Sequence, residues 1–240
     1  MNKRRTLIGA IVAGGLACGI AGVGILYFVV FAGSSPQKLA LSSPTPSASG
    51  SSSSPVSTPG PGTWTIASGS LAGYRVREQL ASLPAPSDAV GRTSAITGTF
   101  TLTQSASGYS VAAAAFSVDV SKLTSDQARR DQRIHSQGLE SDRYPSATFK
   151  LSTPIALPAT AAAGQTIKVS ATGALTIHGV SKTVTIPIDA RLSGSQIELV
   201  GSITFPFSDF GMTPPSIGGF VSVQPNATME FQLNLAYSGA

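Results

Sequence analysis

Cysteine is all but missing from this chain. The one thiol, Cys18, lies in an apolar N-terminal run, so everything after it lacks disulfides, thiolate nucleophiles and cysteine-bound metal. Histidine is nearly as scarce, with only His135 and His178. Zinc ordinarily takes three or four protein ligands, and two imidazoles fall short of that; neither a metal nor a cofactor is expected. Nor is there a G-x-S-x-G nucleophile elbow, a P-loop or a G-x-G-x-x-G dinucleotide fingerprint. Charged residues make up 11% of the chain. Of its 16 cations, Lys3, Arg4, Arg5 and Lys38 precede residue 64, and none of its 11 acids does. The net charge of +5 therefore belongs to the N-terminus. The rest has no basic field that would hold nucleic acid.

What is there begins with membrane chemistry. After the three leading cations, Leu7 to Ala32 are almost wholly apolar or small. This run is longer than the roughly 7–15 residues of a signal-peptide core and long enough to cross about 30 Å of hydrocarbon. Residues 1–32 are expected to form a cytoplasmic tip and one uncleaved transmembrane helix. Cations before the segment, with only Lys38 close behind it, keep the N-terminus cytoplasmic and put the remainder outside. Gly9, Ala13, Ala17 and Ala21, with Gly15-x-x-x-Gly19 beside them, would let two such helices pair as a homodimer.

Residues 33–63 are dominated by Ser, Pro, Gly, Thr and Ala. Such a composition builds no core and reads as a disordered tether, reaching at most about 90 Å at ~3.1 Å per residue. From Trp64 the hydrophobic period becomes two. Ile96, Phe100 and Leu102 oppose Thr97, Thr99, Thr101 and Thr103, and Val184, Ile186 and Ile188 oppose Thr183 and Thr185. Ile197, Leu199, Gly201, Ile203 and Phe205 share a face. Met229, Phe231, Leu233, Leu235 and Tyr237 alternate with Glu230, Gln232, Asn234 and Ala236. One dry and one wet face marks antiparallel sheet. About eight such strands, with Gly, Ser and Pro in the gaps and no βαβ rhythm, predict an all-β sandwich or barrel over residues 64–240.

One segment departs from this pattern. Thr124-x-x-Gln127 has capping-box spacing, and Asp126 precedes Arg129 and Arg130 by three and four residues. A short surface helix is predicted at about residues 125–134. Strand parity also bears on His178. Val169, Ala171, Leu175 and Ile177 fall on one face; Thr172, Thr176 and His178 fall on the other. The imidazole is expected to point away from the dry interior at a strand end, bonding a neighbouring turn or strand instead of acting as base or ligand. The stretch 205–220 scatters Phe205, Phe207, Phe210 and Phe220 among Gly and Pro. It reads either as a lid on a ligand mouth or as a plug.

Several stretches now fit one family in order. They are Trp64–Ile66, Tyr74–Val76, Thr97–Phe100, Arg130-Asp131 followed by Tyr144-Pro145 and Phe149, and the run "GALTIHGVSKTVTIPI" from Gly173 to Ile188. Together they resemble the YceI-like family, over about residues 64–237. The resemblance implies an antiparallel lipocalin-like β-barrel of about eight strands with one short helix, holding a polyisoprenoid or similar amphipathic lipid without catalysis. It makes Arg130, Asp131, Tyr144, Pro145, His178 and Gly179 motif positions of the scaffold. Ala67 and Gly69-Ser70 stand where the family usually has Asp and His-Ser, and Glu78 stands near a frequent His.

The expectation is thus a single-pass membrane protein of a bacterial cell envelope, not an enzyme, with its barrel outside the cell. Phe100, Leu102, Phe116, Phe149, Leu175, Ile177 and Phe231 would line the lipid cavity. The alanine run in Val111–Phe116 would leave it volume. Arg129, Arg130 and Arg133 are the candidates for a phosphate head, against their plainer reading as partners of Asp126, Asp131 and Asp142. The rival is a non-catalytic protein-interaction module of the envelope with a filled core.

Overall fold

The computed structural model describes residues 35–43, 60–81, 86–215 and 221–239. The expected transmembrane segment and its small-residue spacing lie outside them, as does Phe220. No helix among the described residues is long and apolar enough to cross a membrane.

The period-two runs become strands. They are β1 (Gly62–Ile66), β2 (Leu71–Leu80), β3 (Ser87–Thr93), β4 (Ile96–Ser105), β5 (Gly108–Asp119), β6 (Ser146–Leu151), β7 (Ile155–Ala156), β8 (Ile167–Ile177), β9 (Val180–Ser193), β10 (Gln196–Pro206) and β11 (Val221–Gly239). Every pairing is antiparallel. β1, β4, β5, β6, β8, β9, β10 and β11 are joined in that order, and β11 returns to β1, closing a circuit of eight strands. β11 is long enough to take two neighbours on the edge opposite β10: its first part pairs β2, its last part β1. Closure leaves no free edge around the circuit where the ladders are continuous.

Parity sorts the side chains as the sequence pattern predicts, with two local exceptions. Leu233 and Leu235 of β11 are buried, while Tyr237, edge-on to the Trp64 ring at 5.6 Å near the strand end, is 43% exposed. A bulge in β5 opposite Thr101/Leu102 turns Ala114 toward the core and leaves Ala112, Ala113 and Ala115 exposed. The core forms two clusters. One, with Leu175, Ile177, Phe205 and Ala227, lies at the end where β5 connects to β6. The other, with Trp64, Phe100, Leu102 and Leu235, closes the opposite end. There Trp64 stacks on Phe100 with ring centroids 5.9 Å apart.

The predicted helix is shorter than its signal. α1 spans Ala128–Arg133, and Gln127 is its N-cap without a side-chain cap bond, so the capping box does not form. Asp131 performs the equivalent job from inside the helix. Its Oδ1 accepts from the N–H of Ser125 at 2.9 Å and from its Oγ–H at 2.6 Å. Of the 205–220 stretch, residues 205–215 are described, and they plug the α1 end. A 3-10 turn at Phe207–Phe210 follows β10, and Phe207, Phe210 and Met212 are buried in the α1-end cluster.

Part of the expected tether is not free. Gln37–Ser42 lie on the outer wall, where the Arg92 guanidinium donates to the Gln37 carbonyl and that of Arg191 to the Ser42 carbonyl. Leu39 and Leu41 are half-buried. The wall in this region carries charges that parity assigns to the wet face but that are buried nonetheless. Glu230 accepts from Arg92 at 2.8 Å and from Arg75 at 3.4 Å. Glu198 accepts from Arg191 at 2.8 Å and from Gln232 at 3.0 Å. Buried charges persist where they are paired and hydrogen-bonded, and these are.

Candidate functional site

The inner wall is built from cross-strand aromatic–glycine contacts. Phe116 pairs with Phe149 across β5–β6, and Phe149 with Leu175 across β6–β8, so three large apolar groups stand in one row. Each phenylalanine also lies over a glycine of a neighbouring strand. A Cβ on Gly98 would sit 2.5 Å from the Phe116 ring, one on Gly173 2.6 Å from that of Phe149, and one on Gly201 2.5 Å from that of Phe231. Tyr74 lies over Gly91 in the same way, at 2.3 Å. Rings seated on bare backbone hug the wall instead of crossing the barrel.

The burial pattern agrees with an inner space between the clusters. Phe100, Leu102, Leu175 and Ile177 are buried. Phe116, Phe149 and Phe231 are only half-buried, as are the inward Val184, Ile203 and Met229 at middle height. An inward side chain keeps exposure where it borders space inside the barrel or a break in its wall. The seven residues expected to line a cavity thus all face inward, divided between the two clusters. Tyr74, Val184, Ile203 and Met229 join them. The inward glycines, readable from parity alone, were the signal for the wall-hugging rings.

The polar end of this interior lies under α1. Arg130 donates to Glu78 at 2.6 Å and also to Asp126. Burial opposes the charge on its guanidinium, but the hydrogen bonds and charges of the two acids outweigh it and raise its pKa. Arg130 therefore ties the helix to β2 and is not held ready for a head group. Arg129 is exposed, and Arg133 reaches Gln137 at 3.4 Å. The phenol of Tyr74 lies near Ser125, Arg130, Asp131 and Glu78; burial pushes its pKa well above the ordinary value. Its hydroxyl makes no well-formed hydrogen bond among the described residues.

His178 is a turn residue, which corrects the parity reading. β8 ends at Ile177, and His178 has φ 53 with Gly179 following at φ 73. The ring does not face water: it is packed 4.4 Å from the Tyr144 ring centroid, and Nδ1 lies 3.2 Å from the Phe210 carbonyl. Nε2 is 3.4 Å from Glu140. The motif positions Tyr144, His178 and Gly179 thus clamp the plug to the β8–β9 turn. His135 is likewise used internally, 2.5 Å from the buried Ser141 hydroxyl.

This combination, an eight-strand circuit with an Arg-Asp helix tied to β2 and a His-Gly turn holding the plug, coincides with a family model described as YceI-like domain, matched by residues 64–235. The chain belongs to the YceI-like family. Among solved structures it is similar to BcnA of Burkholderia cenocepacia, at 19% identity and TM-score 0.50, over 68% of this chain and 95% of that one. It is also similar to a polyisoprenoid binding domain from Saccharophagus degradans, at 15% identity and TM-score 0.53, over 74% of this chain and 99% of that one. At such identities the likeness carries the fold alone. No curated protein matches the sequence. In YceI-like terms, Arg130, Asp131, Tyr144, His178 and Gly179 all hold segments of the scaffold together, and Pro145 accepts from the N–H of Val120 at 2.8 Å.

Proposed function

We propose that the barrel sequesters or carries a long apolar lipid of the polyisoprenoid class between its two core clusters, as a binding protein and not an enzyme. The observation that carries this reading is the half-buried middle layer of inward aromatics, seated on glycines, between two buried ends. Burying a hydrocarbon chain there would gain about 0.8 kcal/mol per CH₂, less the cost of ordering it. Membership of the YceI-like family supports the same class of ligand, as does the polyisoprenoid-binding description of one structural neighbour. A neutral head, hydroxyl or carbonyl, suits the α1 end better than a phosphate, because Arg130 is already claimed by two carboxylates while the Tyr74 phenol is not.

The apolar segment Leu7–Ala32 would anchor the protein in the cell membrane with the barrel outside, and its small residues would allow pairing of two anchors. Native mass spectrometry of the full chain, followed by organic extraction, tests the reading. One prenyl lipid per barrel is the expected result. A barrel that stays empty after incubation with prenols would overturn it in favour of an interaction module with a filled core.

A further inference from the structure

The ladder between β9 and β10 does not run the length of the barrel. Ile188 pairs with Gly201, and there the pairing stops. Beyond it, residues 180–187 of β9 pair only with β8, and residues 202–206 of β10 only with β11. Pro187 stands at the break and has no N–H to give to a ladder. The wall is also interrupted between β3 and β6, but there Arg92 and Thr124 exchange backbone hydrogen bonds of 2.9 and 3.1 Å. No described backbone group bridges β9 and β10 in the same way.

The two lips of the break differ inside and out. Val184 and Ile203 face inward and stay half-buried, while Thr183, Thr185, Ser202 and Thr204 face outward and are exposed. At the α1 end the gap is crossed by the contact of His178 Nδ1 with the Phe210 carbonyl, at the β8–β9 turn, and by an exposed ion pair, Lys182 Nζ to Asp209 Oδ1 at 2.9 Å. Both ends of the interior are occupied, by Phe207, Phe210 and Met212 on one side and by Trp64, Leu102 and Leu235 on the other.

We propose that the β9–β10 break is a lateral portal through which a long apolar chain passes between outside and interior, with Lys182–Asp209 as its latch. The inference rests on the lipid-binding reading above. Strands that share no ladder part without breaking backbone hydrogen bonds, and an exposed ion pair resists their parting only weakly. Entry from the side lets a chain slide in along its length, over lips that are apolar where it touches them.

A portal controls rates and leaves the equilibrium alone, so the test is kinetic. Stopped-flow fluorescence would follow a dansyl-tagged geranylgeranyl chain entering and leaving the full-length protein in detergent. Lys182→Ala is expected to raise the association and dissociation rate constants together, by roughly two- to fivefold, with Kd unchanged. Val184→Trp, which fills one lip, is expected to lower both, by about tenfold or more. Lys182 is a surface residue, so its variant still reports if the tryptophan variant fails to fold. Binding that persists with both rates unaltered in Lys182→Ala would overturn the portal and leave the lipid reading standing. A Val184→Trp effect confined to dissociation would mean that the residue acts only on bound chain, from its place in the lining, and would also overturn it. A chain that binds no probe at all would remove the lipid reading and the portal with it.

Discussion

Ser42 gives both its backbone N–H and its Oγ–H to one oxygen of Glu198, at 2.7 Å each, across 156 positions of sequence. The bond pair fastens Gln37–Ser42 to the barrel wall. Burial pushes the Glu198 carboxyl up, but the bonds from Ser42 and the Arg191 guanidinium outweigh it and hold the pKa below its ordinary 4.5. A carboxyl depressed in the folded state adds stability above its unfolded pKa and loses it as the pH falls through the folded value. The strap should therefore stay docked at neutral pH and release below the ordinary glutamate range. Hydrogen exchange of residues 37–42 across an acid series checks this; Glu198→Gln should free the strap at every pH. Protection of residues 37–42 that is unchanged in Glu198→Gln at neutral pH would defeat the argument.

Gly173 is predicted to tolerate no side chain. A Cβ there would meet the Lys150 carbonyl at 2.3 Å and the Phe149 ring at 2.6 Å. Gly173→Ala should cost about 1–3 kcal/mol by overpacking. Gly60→Ala is the control, since nothing lies within 4 Å of its Cβ position. Thermal melts of the two variants should separate clearly, and equal melting temperatures would show that the ring moves aside freely.

Two ion pairs of similar length should behave differently. Glu230 is 3% exposed and sits between Arg75 and Arg92. Truncating it to Ala removes the carboxylate these two guanidiniums share in a buried setting, although Arg75 keeps Asp88 at 3.2 Å, at a cost of about 3–5 kcal/mol. Lys168–Asp189 is 2.8 Å long, but the lysine side chain is 79% exposed. Lys168→Ala should cost roughly 0–1 kcal/mol. Chemical denaturation that ranks these two the other way would refute the burial argument.

His178 combines a left-handed backbone with ring contacts, so two substitutions separate its roles. His178→Ala loses the Tyr144 and Phe210 contacts and keeps the φ of 53; a loss of about 1–2 kcal/mol is expected. His178→Gly suits the backbone and should recover part of that loss. Lipid binding by the folded variants should match the parent. Wild-type melting together with abolished binding would mean that the ring meets ligand and is not a clamp.

The strands were legible because parity is a local property. Phe231 and Glu230 differ by one residue and therefore by one face, whatever the rest of the chain does. The inward direction of Phe100, Leu102, Leu175, Ile177 and Phe231 followed from the same rule. Parity stopped working where the strand stopped: His178 lies just past Ile177 in a turn, and its ring went inward against Tyr144. The helix signal was misread in a related way. Ser125, expected inside the helix, lies ahead of it and bonds Asp131, so the first turn starts later than the Thr124-x-x-Gln127 spacing suggested.

By itself the sequence determined the antiparallel all-β class, the single short helix, the inward set of apolar side chains and the YceI-like pattern. All of these depend on periods and motifs within a few residues. Only the tertiary structure decided that Arg130 is spent on Glu78, that Phe207 and Phe210 plug an end, that Gln37–Ser42 lie on the wall, and that the β9–β10 ladder breaks at Pro187. Each of these joins residues far apart in the chain, through distances and hydrogen-bond directions that exist only once the barrel has closed.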